Sequence, residues 1–375
     1  MEWAVIDQIR HVFRYNPETS TSYHIMTDSP LISVIMPAYN AGAFIRESID
    51  SILNQSEQNF ELLIINDGSS DDTEAVVRSF QSGKIVYRAH PENLGIPATR
   101  NALLGMASGE YIALADSDDI YHPRRLAIQA GFLRVHPEVG VVSARINGFD
   151  GEAPAFPDLQ SVKVRLNPEQ IRSRLLFSDS AVMAHPLVML RTSVLRQHAI
   201  AYDTNIPVGS DFHLYQQLGR VTDMVELDAV LCLYRIHTGN ISKNRKVTRK
   251  HSLRARIDFL QSNFNIDIGD VFDDDGRVKR ADKFARLNTE IEKLVDAKSD
   301  NPRYDAELLQ KGAVKFLYAK LRDLENRTSD YAAIYAAYRQ SKLLRRISIN
   351  RKLRFHIKAL FAPFSRIFSS LHKTS

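Results

Sequence analysis

Residues 31–67 read LISVIMPAYNAGAFIRESIDSILNQSEQNFELLIIND, and their rhythm decides the fold. Leu31 to Pro37 is a short, β-branched apolar run that stops at a proline and gives way to a turn containing Gly42. Phe44, Ile45, Ile49, Ile52 and Leu53 then recur at helical spacing, which predicts an amphipathic helix. Phe60 to Asp67 is a second apolar run of strand length. Outward from here the alternation continues: DDTEAVVRSF (71–80) reads as a helix with acidic residues in its first turn, and KIVYRA (84–89) as a strand. ATRNALLGMA (98–107) reads as a helix and EYIALAD (110–116) as a fourth strand. Strands alternating with helices of about ten residues imply βαβ crossovers, so the expected class is α/β, a mostly parallel sheet with helices on both faces. The strands are near-continuously apolar rather than alternating, as burial on both faces requires.

Beyond VGVVSA (139–144) the pattern loosens. NGFDGEAPAFPD (147–158) reads as a surface loop, residues 168–177 as a helix, SDFHLYQQLG (210–219) as the opening of another and AVLCLYRIH (229–237) as a strand. Three regions are expected: an extension over 1–30, a catalytic domain over 31–242, and a mainly helical, basic C-terminal region over 243–375, interrupted by a DDDG turn at Asp273–Gly276.

The chain has 375 residues, room for two to three domains at about 150 residues each, and its 44% hydrophobic and 25% charged content is ordinary for a globular protein. That excludes a disulfide miniprotein, a collagen-like fibre and a wholly disordered chain. With Cys232 the single cysteine, neither an intrachain disulfide nor a cysteine zinc cage is possible, which fits a reducing, cytoplasmic setting. Neither a secretory signal nor an apolar run of the roughly 18 to 20 residues that span a bilayer is legible. The net charge of +5 hides an asymmetry. Ile241 to Ser375 carries 30 Lys and Arg against 16 Asp and Glu, a net of +14, so the remainder is net −9.

Ligands of an open parallel sheet gather at the carboxyl ends of its strands. Polar residues stand at three of those ends: Pro37, Ala38, Tyr39 and Asn40; Asn66, Asp67, Gly68, Ser69 and Ser70; and Asp116, Ser117, Asp118 and Asp119. The Asp116 and Asp118 carboxylates suit a hard cation, Mn2+ or Mg2+, bound together with substrate phosphates. A second reading makes Asp118 or Asp119 the cap of a helix opening at His122–Pro123. Tyr39 is either a core aromatic or a platform for a nucleobase, and Asp67 either turn chemistry or a base contact. Neither a G-x-G-x-x-G after the first strand nor a P-loop is present, which argues against a dehydrogenase and a P-loop kinase.

SVIMPAYNAGAFIRESIDSILNQ, LLIINDGSSDDT and NLGIPATRNALLGMASGEYIALADSDD, in that order, resemble the inverting glycosyltransferases of family 2, which have the GT-A fold; HPLVMLRTSVL, GSDFHLY and LYRIHTGNIS resemble its later blocks. The resemblance covers 31–242. It implies a nucleotide-sugar donor, with UDP favoured, and Pro37, Ala38, Tyr39 and Asp67 around the base. It further places Arg100 near the nucleotide, Asp116 near the ribose, and Asp118 with His237 on the metal; Arg235 either pairs with the diphosphate of the nucleotide or forms a salt bridge. The family's Glu-Asp pair reads Ser210-Asp211 here, which leaves Asp211 as the candidate general base. An N-cap role for Ser210 is the competing reading. The Gln-x-x-Arg-Trp element of processive members is absent, since Trp3 is the sole tryptophan, so addition of one or a few sugars is expected. The acceptor expected is a glycan or lipid-linked hydroxyl in bacterial-type surface polysaccharide assembly.

From Arg339 to Ser375 there are ten basic residues and no acidic one. Ile357, Leu360, Phe361, Phe364, Ile367, Phe368 and Leu371 recur at three and four, so a helix within 340–372 is expected either to lie on an anionic membrane surface at the cytoplasmic face or to pack on the catalytic domain. Nucleic acid is not an expected partner, because the body is acidic and no DNA- or RNA-binding motif accompanies the tail. The rival functions are a sugar-phosphate nucleotidyltransferase, a haloacid-dehalogenase-type phosphatase, and an inactive sugar-nucleotide-binding scaffold.

Overall fold

The computed structural model describes residues 32–159, 162–178, 182–240, 245–273, 277–298, 303–326 and 331–346. The extension expected over 1–30, the tail stripe from Ile357 to Leu371 and the centre of the DDDG turn lie outside them. Contacts divide the chain into two units, Met1–Ile171 with Ala181–Lys243, and Arg172–Ser180 with Asn244–Ser375.

The first unit is built on a nine-stranded sheet, the strands being β1 (Ile32–Ala38), β2 (Phe60–Asn66), β3 (Ile85–Ala89), β4 (Tyr111–Leu114), β5 (Ile120–Tyr121), β6 (Val139–Phe149), β7 (Val164–Leu166), β8 (Met189–Arg191) and β9 (Asp223–Arg235). Their order is β3-β2-β1-β4-β8-β6-β9-β5, with β7 on β9. β1 through β4 are mutually parallel as the sequence predicts; β8 runs antiparallel to both β4 and β6. The register sets Ala38 beside Asn66 and Asn66 beside Ala89, so three carboxyl ends share one rim.

Helices α1 (Ile45–Leu53), α2 (Thr73–Arg78), α3 (Ile96–Met106) and α4 (Arg125–Val135) follow the strands. α1 buries Ile45, Ile49 and Ile52, the stripe its spacing predicts, against Val34, Met36 and Leu62 of the sheet. Each such side chain contributes roughly 1.5–3 kcal/mol by leaving water. After α5 (Pro168–Phe177) and α6 (Thr192–His198), α7 (Ser210–Val221) leads into β9.

Two strands are longer than their apolar runs suggest. β6 continues to Phe149, into the stretch read as loop, and β9 begins at Asp223. They pair with each other in parallel through three register shifts, and Arg145 to Gly148 of β6 are exposed. Solvated positions break the apolar pattern there without ending the strand.

The second unit is helical: α8 (Arg245–Phe264), α9 (Ala281–Lys298), α10 (Ala306–Glu325) and α11 (Tyr331–Gln340). Phe284, Leu287, Ile291 and Leu294, three and four apart, pack into one core with Ala313, Phe316, Leu317, Leu321 and Ile334. Asp305 caps α10 by accepting from the Leu308 N–H at 2.7 Å. No helix of the described residues is long and apolar enough to cross a membrane.

Candidate functional site

At the rim, Pro37 and Ala38 close β1, and Tyr39 stands beyond them with half its surface exposed. Asp67 follows β2 and is 3% exposed. Its Oδ1 accepts from the Leu94 N–H and meets His90 Nδ1, both at 2.9 Å; its Oδ2 accepts from the Gly95 N–H at 2.9 Å. Burial pushes the carboxyl up, but these bonds and one with Thr99 outweigh it and hold the group below the usual carboxylate range. The carboxylate thereby frames the loop from His90 to Gly95. The next residue, Gly68, has φ +70°, and a Cβ there would come 2.5 Å from the Glu92 carbonyl carbon, so only glycine fits the turn.

Between β4 and β5 the acidic segment is held from three sides. Asp116 Oδ1 accepts from Arg100 Nη2 at 3.0 Å, Asp118 Oδ2 meets His237 Nε2 at 2.9 Å, and buried Asp119 accepts the Arg235 N–H at 3.0 Å. One carboxylate oxygen from each of the three aspartates lies within 4.8 Å of the others. Burial first, then the charges of Asp116 and Asp118, push Asp119 up to about 8. Burial and the charges of Asp118 and Asp211 raise Asp116 against the pull of Arg100. Such crowding of negative charge is what a cation relieves. The capping reading of Asp118 and Asp119 fails: α4 begins at Arg125, its N-cap is Arg124, and no side chain caps it.

Arg235 builds the wall. Its Nη2 donates to Glu47 Oε2 at 2.8 Å and its Nε to the Asp118 carbonyl at 3.0 Å, while the guanidinium lies over the Phe44 and Phe149 rings. These donors are directed to the protein itself. The His237 ring packs on Phe44, centroids 4.6 Å apart, and the residue's backbone N–H donates to Asn240 Oδ1 at 2.6 Å.

The donor set fits a divalent ion. The 2.9 Å between Asp118 Oδ2 and His237 Nε2 is close to the about 3 Å edge that two adjacent ligands span around an ion at about 2.1 Å. His237 Nδ1 here accepts from the Gly239 N–H at 3.2 Å, so Nε2 carries the proton toward Asp118. Ligation through Nε2 requires the other tautomer and gives up the Gly239 bond.

Asp211 is the second residue of α7, whose N-cap is Gly209 at φ +86°; Ser210 is helical and buried, so it is not the cap. Asp211 Oδ1 accepts from the Phe212 N–H at 2.8 Å, and its charge is felt at Arg100, Asp116, Tyr202 and Tyr215. The fold thus joins Arg100 to Asp116, and Asp118 to Arg235 and His237, with Asp211 placed so that its charge acts on Arg100 and Asp116, and with Pro37, Ala38, Tyr39 and Asp67 on neighbouring strand ends. Sequence reasoning missed Glu47 and His90, whose partners Arg235 and Asp67 lie far off in the chain, and Asn240, which closes a local turn on Arg235 and His237; it read Asp119 only as a cap. Asn240 lies in the quoted LYRIHTGNIS block, which is the one signal that pointed to it.

The profile of Glycosyl transferase family 2 matches residues 33–199. Escherichia coli WfgD, a UDP-Glc:alpha-D-GlcNAc-diphosphoundecaprenol beta-1,3-glucosyltransferase, is 41% identical over 237 residues, which make up 63% of this chain and 88% of that protein. An uncharacterized glycosyltransferase of Haemophilus influenzae is 28% identical over 258 residues, 65% of this chain and 78% of the relative. Among solved structures, S. aureus TarS 1-349 in complex with UDP-GlcNAc matches with a TM-score of 0.50 at 20% identity, over 82% of this chain and 91% of that one, a likeness of fold.

Proposed function

From the premise that the chain belongs to glycosyl transferase family 2, and is a glycosyltransferase, we propose that it moves one sugar from a UDP-sugar to a hydroxyl of a glycan or lipid-linked acceptor in bacterial-type surface polysaccharide assembly. The E. coli relative's name pairs UDP-glucose with a GlcNAc-diphosphoundecaprenol, and these are the first donor and acceptor to try. Family membership sets aside the nucleotidyltransferase and phosphatase readings.

In this proposal residues 31–242 carry the reaction, and the basic, apolar-striped stretch 340–372 at the end of the C-terminal region serves attachment to an anionic membrane surface. Tyr39 stacks on the base beside Pro37, Ala38 and Asp67. Arg100 and Asp116 fix the ribose and diphosphate side, while Arg235 secures the Asp118 turn. Asp118 and Asp116, with His237 in its other tautomer, would hold Mn2+ or Mg2+, which when bound neutralises charge growing on the leaving diphosphate. Asp211 takes the proton of the acceptor hydroxyl as that oxygen attacks C1. A single base opposite the leaving group gives in-line displacement and inversion; no nucleophile beneath C1 is needed.

The observation that carries the reading is the convergence of Arg100–Asp116, Asp118–His237 and the charge of Asp211 at the carboxyl edge of the sheet. The test is sugar transfer from UDP-glucose by Asp211→Asn and Asp118→Ala, each checked for folding. Loss of turnover in both supports it; full activity in both sinks it. UDP binding without turnover in the wild-type protein would instead favour the inactive scaffold, which the substituted Ser210 keeps in view.

A further inference from the structure

Beneath the catalytic cluster lies a buried polar chain that the proposed reaction does not use. His185, at the start of the 3-10 turn His185–Leu187, is 9% exposed, Tyr202 3% and Tyr215 1%. His185 Nε2 meets the Tyr202 hydroxyl at 3.1 Å, and Nδ1 meets the Tyr215 hydroxyl. Burial, together with the charge of Arg100, holds the imidazole well below its ordinary pKa, so it is neutral. A neutral imidazole has one donor and one acceptor. The chain therefore has a direction: one tyrosine donates to the bare nitrogen, and the other accepts from the N–H.

One end of this chain touches Arg100, and the other stands on the helix that carries Asp211. Tyr215 lies four residues after Asp211 in α7, on the same helical face one turn on. Tyr202 presents its ring to the Arg100 guanidinium, 5.6 Å from the centroid, and Arg100 binds Asp116. Tyr202 is itself clamped to α3, since its N–H donates to Asn101 Oδ1 at 2.9 Å and its carbonyl accepts from Asn101 Nδ2 at 2.8 Å. Gln217 Nε2 of α7 donates to the neighbouring Ala201 carbonyl at 3.2 Å.

We propose that His185, Tyr202 and Tyr215 are positioning residues that set the α7 carboxylate Asp211 against the Arg100–Asp116 pair. The inference rests on Asp211 being the base. A base displaced by about 1 Å loses on the order of a hundredfold in rate, so a hydrogen-bonded strut beneath it governs turnover more than donor binding.

Tyr215→Phe and Tyr202→Phe keep the ring volume and remove one hydroxyl each, so they preserve packing. The expected result is a fall in kcat of about tenfold or more, a donor KM within about twofold of wild type, and one UDP bound per chain by calorimetry, which shows that the surviving sites are intact. The deciding measurement is the double-mutant cycle with Asp211→Asn. If Tyr215 acts through Asp211, Tyr215→Phe takes nothing further from the residual turnover of that background, measured in single-turnover assays at high enzyme concentration. An equal cost in both backgrounds overturns the proposal. So does wild-type turnover of Tyr215→Phe while Asp211→Asn is inactive, an outcome that leaves the base assignment standing. Full turnover of Asp211→Asn removes the base assignment and this inference together.

Discussion

Replacing Asp67 by Asn tests how the carboxyl edge of the sheet is built. Both carboxylate oxygens accept from backbone N–H groups, Oδ1 from Leu94 and Oδ2 from Gly95, each at 2.9 Å. An amide in either orientation therefore points its NH2 at a backbone donor, and a flip does not relieve the conflict. One charge-assisted bond worth about 1.5–3 kcal/mol is lost and a donor is set against a donor. Leu94 is half exposed, so water reaches the loop and limits the loss to about 2 kcal/mol. The two-unit architecture makes a local readout preferable to a global melt: hydrogen exchange at the Leu94 and Gly95 amides should accelerate up to roughly thirtyfold at neutral pH. The folded carboxyl lies below its ordinary value, so its stabilising effect is complete above the unfolded pKa of about 3.9 and is lost as pH falls through the folded one. The gap between wild type and Asp67→Asn should stay constant down to about pH 4 and close below it. Unchanged exchange at both amides would refute the framing role given to Asp67.

Other perturbations address the rest of the cluster. His237→Ala should weaken Mn2+ binding in the presence of UDP on the order of tenfold, read by calorimetry; unchanged affinity would remove His237 from the metal. Tyr39→Ala should weaken UDP binding by roughly 1–3 kcal/mol, the worth of one base–aromatic stack, with stability unaltered because the side chain is half exposed. Gly68→Ala should lower the melting temperature through a loss above about 1 kcal/mol, since it strains a positive φ and meets the Glu92 backbone; wild-type melting would contradict the geometry of that turn.

Much of the first unit was legible because buried parallel strands leave a plain signature. LISVIMP, FELLIIND, KIVYRA and EYIALAD all became strands, and the Phe44-to-Leu53 period became α1 with its apolar stripe inward. The long β6–β9 pair was only half legible, since Arg145 to Gly148 face solvent and break the pattern. At the site, the D-x-D spacing singled out Asp116 and Asp118, and the resemblance Asp211 and His237; the fold sets Asp118 against His237 and brings the charge of Asp211 to bear on Asp116. What the sequence could not display was pairing at a distance. Glu47 meets Arg235 across 188 residues and Asp119 meets the Arg235 N–H across 116, and no local pattern encodes either contact. Asp119 was readable only as a cap, because an Asp before a helix has that role far more often than burial under a distant backbone N–H.

The anomeric configuration of the transferred sugar bears most directly on the account. With an α-linked UDP-sugar, proton NMR of the isolated product should show a β-linkage, formed only while Asp211 is intact. An α-linked product from the wild-type protein would contradict in-line attack assisted by a single base.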